Sequence, residues 1–214
     1  MMRLSSVNVG LPQEILWEGQ PVQTGIFKQP VPGPVRVLAE HLDGDGQADR
    51  RVHGGPDKSV YAYALEHYDY WRDLVPPAQL TNAAFGENLT TTGLLETQVC
   101  IGDVFQVGTA VLMAVQPRMP CFKLGIRLND AQMVKQFVRA RRSGIYFRVL
   151  EQGTLQAGDA ITLLEPSAHQ VTVQQVVDNF WLPEKDAAQV RAILAAPVLP
   201  AFWQRAFREI QAAL

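Results

Sequence analysis

Short apolar runs separated by glycine and proline dominate the first 165 residues of the chain. Such runs, bounded by turn residues, are typical of β-strands. They fall at residues 35–42, 99–107, 109–115, 145–150 and 160–164. We therefore predict that residues 1–165 form one domain, built as a β-barrel or a strongly curved mixed sheet.

Two segments inside this region carry apolar residues at helical spacing. In residues 57–74 they recur every three or four positions between Val60 and Trp71, and Asp57 is suited to cap the N-terminus. In residues 130–142 an apolar stripe precedes arginines, which favour the negative end of a helix dipole. The pattern predicts one helix in each segment.

After Pro166 the pattern is helical only. Three segments, at residues 171–180, 184–195 and 201–214, have amphipathic spacing and are separated by prolines, which end helices. We interpret residues 166–214 as a three-helix appendage. The predicted fold class is therefore mixed β/α, with a β-barrel domain followed by this appendage.

Charge and length restrict the classes of partner. The formal net charge of −2 over 214 residues gives no general positive field, so nucleic-acid polymers are poor candidate ligands. No apolar run approaches the roughly 18 residues of a membrane span, and the N-terminus lacks the apolar core of a signal peptide. We expect a cytoplasmic protein without a membrane partner, whose two cysteines are thiols.

The segment Gln116-Pro117-Arg118-Met119-Pro120-Cys121-Phe122-Lys123-Leu124 carries the most chemical information. Its two prolines cannot donate to a sheet ladder, so the chain should leave the sheet here and place Cys121 at a strand end. The neighbouring Arg118 and Lys123 favour the thiolate, which attacks electrophiles or binds soft metals. The competing interpretation is that Cys121 is a small buried hydrophobe, the usual state of a free cysteine. Cys100 lies inside an apparent strand with no nearby cation, and we assign it to packing.

A second segment joins the sheet to the first predicted helix. Gly54 and Gly55 could bring backbone N–H groups close to an anion at a helix start, with Arg50 and His53 beside them. The alternative is an ordinary capped turn with surface charges.

Three further segments contribute five more candidates, which are Lys28, Glu87, Asn88, Arg142 and Ser143. Each of these, taken by itself, is typical of surface or turn chemistry. Sharper motifs are absent: the sequence contains no Walker-type loop, no dinucleotide glycine motif and no Cys-x-x-Cys pair.

Taken together, the segments resemble the MOSC family, and in particular its YiiM-like branch. The matching elements are Gly25-Ile26-Phe27-Lys28, Asp45-Gly46-Gln47-Ala48-Asp49, Val52-His53-Gly54-Gly55, Phe85-Gly86-Glu87-Asn88, Gln116 to Leu124 and Arg142-Ser143-Gly144-Ile145-Tyr146. The resemblance covers nearly the whole chain, since this branch also carries a C-terminal three-helix extension.

The resemblance implies a β-barrel whose Cys121 binds the metal of a molybdenum cofactor (Mo-molybdopterin). It also implies a detoxifying reduction of N-hydroxylated purine and pyrimidine analogues such as 6-N-hydroxylaminopurine. Lys28, Arg118 and Lys123 would neutralise the cofactor, and His53 and Glu87 would deliver protons or bind the pterin. The other expected cofactor-binding residues are Arg50, Gly54, Gly55, Asn88, Arg142 and Ser143.

The same interpretation makes predictions about partners. The sequence has no recognisable flavin, haem or iron–sulfur motif, so we expect a separate reductase to supply electrons, and a homodimer is possible. Two alternatives stay open. The protein could be a non-redox carrier of the cofactor or of sulfur, or an anion-binding regulatory module in which Cys121 only packs.

Overall fold

A computed structural model describes residues 1–49 and 54–214. The strands, numbered in chain order, are β1 (Arg3–Val9), β2 (Gln13–Trp17), β3 (Gln20–Thr24), β4 (Gln29–Pro30), β5 (Val35–Val37), β6 (Val60–Ala64), β7 (Leu89–Thr92), β8 (Val104–Val107), β9 (Ala110–Pro117), β10 (Ile145–Glu151), β11 (Gly153–Leu155) and β12 (Ile161–Glu165). The helices are α1 (Glu66–Trp71), α2 (Phe122–Leu128), α3 (Met133–Ala140), α4 (Val173–Trp181), α5 (Ala187–Ala195) and α6 (Ala201–Ala212). A single 3-10 turn, Pro56–Lys58, precedes β6.

Eight of these strands share one sheet, in the order β12-β8-β9-β10-β6-β7-β1-β4. Neighbouring strands in it are antiparallel, except that β6 and β7 run parallel. In the β9–β10 ladder, Gln116 lies opposite Tyr146 and Pro117 opposite Ile145. The end of β9 and the start of β10 therefore lie together, at the place where the chain leaves the sheet toward Cys121.

The large sheet curls so that its strand β12 approaches β1. An isolated bridge joins Arg3 to Ala160, and the Ile161 N–H donates to the Met2 carbonyl at 3.0 Å, so β12 approaches the start of β1. In the described ranges no continuous ladder joins these two strands. The mixed fold with a large sheet and C-terminal helices is confirmed, whereas the closed barrel is not.

Two apolar clusters stabilise this arrangement. The larger one lies between the sheet and the C-terminal helices, where Phe105 and Leu112 of the sheet are buried with Trp203 and Phe207 of α6. The smaller one gathers aromatic residues from the other side of the sheet, including Tyr63, Trp71, Phe85 and Phe137. Two rings of the smaller cluster, Tyr61 and Phe137, lie against the Arg118 guanidinium of the candidate functional site described below.

The helix predicted over residues 57–74 is wrong. The chain instead forms the 3-10 turn, strand β6 and the short helix α1. All five residues of β6 are buried, because the strand is central and pairs with β10 and β7. Such a strand shows no polar alternation, so its apolar residues mimic helical spacing. Asp57 does not cap a helix through its side chain, which pairs with Arg148 (2.9 Å to Nε).

The remaining sequence-based elements agree more closely with the structure. The helix predicted at 130–142 is α3, although the preceding helix α2 was not predicted. The strand predicted at 99–107 begins only at Val104, because Cys100 and Asp103 close a turn through the Cys100 N–H and the Asp103 carboxylate (2.8 Å). Cys100 is buried there, as predicted.

The three C-terminal helices were predicted correctly, since local signals define their starts. Thr172 and Gln175 form a capping box at α4, and the Asp186 side chain accepts from two N–H groups of α5. Pro200 stands immediately before α6. The domain limit at residues 165 and 166 stays a prediction.

A buried hydrogen bond fixes the C-terminal helices to the sheet. The Trp203 indole N–H donates to Gln116 Oε1 at 2.8 Å, and Gln116 Nε2 donates to the Asp57 carbonyl at 2.7 Å. Trp203 is only 1% exposed. Gln116 therefore links α6 to the turn that precedes β6.

We predict that Trp203→Phe lowers the free energy of unfolding by about 1–3 kcal/mol, because Gln116 Oε1 stays buried without a donor. Urea denaturation measures the change. Trp181→Phe is the control, since this indole is 37% exposed and a surface change costs at most about 0.5 kcal/mol. Equal losses in the two variants would contradict the role given to the Trp203 hydrogen bond.

Candidate functional site

Two clefts meet at Cys121. The first, which we call the cationic lobe, has about 660 Å³ of space counting its open mouth. It is lined by Thr24, Gly25, Ile26, Lys28, Asp45, Gly46, Gln47, Ala48, Lys58, Tyr61, Gly86, Asn88, Arg118, Met119, Cys121, Lys123 and Tyr146. The second, which we call the apolar lobe, has about 1130 Å³ counted in the same way. Its lining is Gly54, Gly55, Pro56, Asp57, Lys58, Gln116, Met119, Pro120, Cys121, Tyr146, Pro200 and Phe202.

Cys121 stands where the chain leaves β9 and begins α2. Strand β9 ends at Pro117, and Cys121 has extended backbone angles (φ −131°, ψ 171°) at the N-cap of the helix. Its side chain is partly exposed and lines both lobes. The position at a strand end agrees with the sequence prediction, and the competing interpretation of a sealed core residue is wrong.

Four cationic side chains among the described residues line the cationic lobe. They are Lys28, Lys58, Arg118 and Lys123, and three of them were predicted from sequence. Arg118 and Lys123 are close in sequence, just after β9 and in α2, whereas Lys28 and Lys58 come from distant segments that only the fold brings to the same cleft. Such a wall favours an anionic ligand.

Arg118 is the most deeply set of these cations. Its Nη1 donates to the Phe85 carbonyl at 2.6 Å, and its guanidinium lies 4.9 Å from the ring centre of Tyr61 and 5.5 Å from that of Phe137. Within the described ranges it forms no ion pair with a carboxylate. A buried guanidinium without a carboxylate partner is costly, and an anion in the cleft would offset that cost.

Lys28 has a carboxylate partner already. Its buried ammonium pairs with Asp45, whose other oxygen accepts from Asn88 Nδ2 at 2.9 Å. Burial lowers the pKa of Lys28, while Asp45 opposes this effect. Asn88 also accepts from the Tyr61 N–H at 3.1 Å. These bonds hold the wall of the lobe in place, and they reduce the charge that Lys28 can offer a ligand.

Lys58 is a cation that the sequence analysis did not select. It lines both lobes, from the turn just before β6. Partial burial lowers its pKa, whereas the nearby Asp57 and Cys121 raise it. Lys58 was part of the glycine-rich segment, but only the fold brings that turn beside Cys121.

Glu87 takes a different place from the one expected of a proton donor. Its carboxylate is buried and does not line either lobe. It accepts from the Tyr68 hydroxyl, from Thr90 Oγ1 at 3.0 Å and from the Phe85 N–H at 3.1 Å. Since the Phe85 carbonyl binds Arg118, Glu87 stabilises the backbone that holds this guanidinium.

The other predicted residues are distributed around the site. Gly54 and Gly55 line the apolar lobe, whereas Arg142 lies away from both lobes with its guanidinium 4.7 Å from the Tyr70 ring centre. The Ser143 carbonyl accepts from the Tyr61 hydroxyl at 2.8 Å, so Ser143 supports a lining residue without lining the cleft. Arg50 and His53 lie outside the described residues.

Glycines allow close approach of the chain beside the site. Gly144, next to Ser143, has φ +67°, and a Cβ there would lie 2.5 Å from the Tyr61 ring. Gly86 has φ +73°, and its Cβ would meet Ile26 at 2.7 Å. Both positions combine the left-handed region with contacts that exclude a side chain.

Comparison with known proteins agrees with this organisation. A MOSC domain model matches residues 49–162, and a model described as YiiM-like, 3-alpha helix domain matches residues 171–209. The chain is 40% identical over 202 residues to the uncharacterized protein YflK of Bacillus subtilis, covering 94% of this chain and 91% of that protein.

This chain belongs to the MOSC family, in its YiiM-like branch.

A solved structure and a longer relative extend the comparison. The crystal structure of YiiM from Geobacillus stearothermophilus is 32% identical and superimposes with a TM-score of 0.80, covering 99% of this MOSC protein and all of that chain. A protein named Reductase from Gibberella moniliformis is 39% identical over 165 residues, which are 74% of this chain and 29% of that protein. MOSC domains are associated in general with binding of the molybdenum cofactor. No helix in the described part of the chain is both long and apolar enough to cross a membrane.

Glu87 gives a prediction about pH. Burial raises the pKa of Glu87, although hydrogen bonds from Tyr68, Thr90 and Phe85 oppose this effect. A raised folded-state pKa contributes stability that is complete below the unfolded pKa and is lost as the pH rises through the folded pKa. The unfolding free energy of wild type minus that of Glu87→Gln should therefore fall as the pH rises above about 4.3, the ordinary pKa of a glutamate side chain.

Urea titrations across this range measure the difference. Tyr68→Phe is the companion background, because the Tyr68 hydrogen bond lowers the Glu87 pKa and its loss should extend the decline to higher pH. A difference that grows with rising pH would show that the carboxylate of Glu87 is favoured in the folded protein.

Proposed function

We propose that this protein is a reductase that holds a molybdenum–pterin cofactor through Cys121 and reduces N-hydroxylated purine and pyrimidine bases. The observation that carries the proposal is the position of the Cys121 thiol, partly exposed between a cationic lobe and an apolar lobe. Family membership supports the class of cofactor, and the geometry supports the assignment of its ligand.

The residues of the cationic lobe fit such a cofactor. A thiolate is a soft donor and extends the sulfur set that a pterin dithiolene offers to molybdenum. The phosphate and dithiolene of the cofactor are anionic, and Lys58, Arg118 and Lys123 line the lobe beside the thiol. Arg118 in particular is buried without a carboxylate counter-charge, so a bound anion would complete its surroundings.

The reaction breaks the N–O bond of an N-hydroxylated base. Two electrons and two protons are consumed, and the products are the amine and water. The bound cofactor supplies the two-electron chemistry. Lys58 and Tyr146 face both lobes, and burial raises the pKa of Tyr146, which keeps its phenol protonated. These two side chains are therefore the proposed holders of protons beside the breaking bond.

Electrons must come from outside this chain in our proposal, because the sequence carries no recognisable flavin or iron–sulfur motif. The longer relative named Reductase supports this view. Its similarity to our chain spans only 29% of its length, the arrangement expected if a domain of this kind works beside an electron-delivering module. We propose a separate reductase as the electron donor.

Cys121→Ala tests the ligand. Expressed in a host that makes the cofactor, the variant should retain less than about a tenth of the wild-type molybdenum and lose reduction of 6-N-hydroxylaminopurine, because the metal loses its protein thiolate. Elemental analysis and a reductase assay measure the two effects.

Cys100→Ala is the matched control, since this thiol is buried and lies outside both lobes. It should keep both metal and activity. Equal molybdenum in wild type and Cys121→Ala would overturn the ligand assignment. Wild type that carries molybdenum but reduces no N-hydroxylated base with any donor would favour a carrier.

Lys58→Gln tests the charge of the lobe. Removing one cation beside an anionic cofactor should weaken its retention about ten- to a hundredfold, as the loss of one charge-assisted hydrogen bond does. The rate of cofactor loss during dialysis measures the effect. Lys135→Gln removes an equal charge from the exposed face of α3 and should leave this rate unchanged. Equal rates for the two variants would show that Lys58 does not contact the cofactor.

A further inference from the structure

We infer that the apolar lobe binds the aromatic ring of the substrate, and that Phe202 of the C-terminal helices forms one wall of this subsite. The inference rests on the proposed function and adds a specificity-determining residue to it. The three-helix unit then contributes to the active site as well as to stability.

The lining of the apolar lobe differs from that of the cationic lobe. Pro56, Met119, Pro120, Pro200 and Phe202 give it apolar walls, and Tyr146 adds a second aromatic ring. A purine or pyrimidine base is planar and neutral, and it stacks on aromatic side chains with little dependence on its substituents. The apolar lobe therefore offers the base apolar and aromatic side chains on which it can stack.

Four of the described residues line both lobes, and their position indicates where the N–OH group of the substrate would lie. Lys58, Met119, Cys121 and Tyr146 line both. A base lying in the apolar lobe would extend its exocyclic N–OH toward Cys121, while the anionic cofactor occupies the other side. The apolar lobe is thus continuous with the thiol that the proposed function requires.

Phe202 is set apart from its neighbours in α6. Trp203 and Phe207 are buried in the main core, whereas Phe202 is 45% exposed and lines the lobe. Its ring lies edge-on to Trp203, with 5.4 Å between ring centres. A single exposed phenylalanine is ordinary on a protein surface, but this one faces the same cleft as Cys121.

Two hydrogen bonds, one buried and one partly buried, hold the helix turn that carries Phe202. Trp203 donates to Gln116, and Gln116 donates to the carbonyl of Asp57, at 2.8 and 2.7 Å. These partners are 87 and 59 residues apart in sequence. The start of α6 is therefore held against the turn that contains Gly55 and Lys58, and Phe202 is presented to the lobe with a defined geometry.

The experiment compares Phe202→Ala with wild type, both loaded with molybdenum cofactor. For 6-N-hydroxylaminopurine, KM should rise about tenfold, within the range measured for loss of one stacking contact. For acetamidoxime, an N-hydroxylated substrate without an aromatic ring, KM should change less than about twofold. Molybdenum content should be equal in both proteins.

Two variants serve as controls. Phe202→Tyr keeps an aromatic wall and should restore the KM for the purine. Trp181→Ala removes an exposed aromatic residue of the same unit that does not line the lobe, and it should leave both KM values unchanged. An unchanged purine KM in Phe202→Ala, or an equal rise for both substrates, would overturn the inference.

Failure of the proposed function gives a different result. Wild type would then carry molybdenum and reduce neither substrate. In that case calorimetric binding of adenine, the amine product, to wild type and Phe202→Ala still tests the subsite. About tenfold weaker binding to the variant would support it, and equal or absent binding would overturn it.

Discussion

The side-chain amide of Gln116 holds together the three parts of the chain that meet at Cys121. It lies at the end of β9, accepts a hydrogen bond from the Trp203 indole and donates to the carbonyl of Asp57. A buried amide must satisfy both its donor and its acceptor, so α6 and the turn before β6 can occupy only one arrangement relative to β9. The next residue is Pro117, which ends the strand and releases the chain toward the thiol.

Electrostatics sets a second constraint on the same region. Lys28 satisfies its buried charge with Asp45, and Asn88 orients that carboxylate. Arg118 has no described carboxylate partner and is held by the Phe85 carbonyl and by aromatic faces. The cationic lobe therefore contains one buried ion pair, Lys28 with Asp45, and one buried guanidinium, Arg118, that has no carboxylate partner among the described residues. Such an arrangement is expected of a site whose counter-ion arrives with a ligand.

Elements that are defined by interactions between residues close in sequence could be predicted, whereas elements that depend on contacts between distant residues could not. The C-terminal helices were predicted from amphipathic spacing and from the prolines that separate them, and both are local signals. The structure adds two further local signals, the side-chain caps of Thr172 and Asp186. Strand β6 was taken for a helix, because only its burial between β10 and β7 distinguishes it. The sequence also predicted that the chain leaves the sheet just before Cys121. The reason is local, because Pro117 and Pro120 lack the backbone N–H that a sheet ladder needs. The closed barrel depends on pairing between distant strands, and apolar runs carry no information about it.

The site shows the same division between local and distant signals. Arg118 and Lys123 are neighbours of Cys121 in sequence and were selected with it. Lys58 and Phe202 line the same cleft as Cys121 only because of the fold, so no spacing in the sequence identifies them. Glu87 belongs to a recognisable motif, yet its side chain turns into the core to accept from Tyr68.

The two lobes give the C-terminal helices a role that stability alone does not require. An anionic cofactor and a neutral planar base need opposite surroundings, and one cleft cannot supply both at low cost. Among the described residues, the cations of the cationic lobe come from the segments before Pro166, whereas α6 and the residue before it provide Phe202 and Pro200 for the apolar lobe. Cys121 and Lys58 line both lobes, where the proposed reaction between cofactor and base would occur. A change in the helical unit could therefore alter which ring is accepted while the cofactor side stays the same.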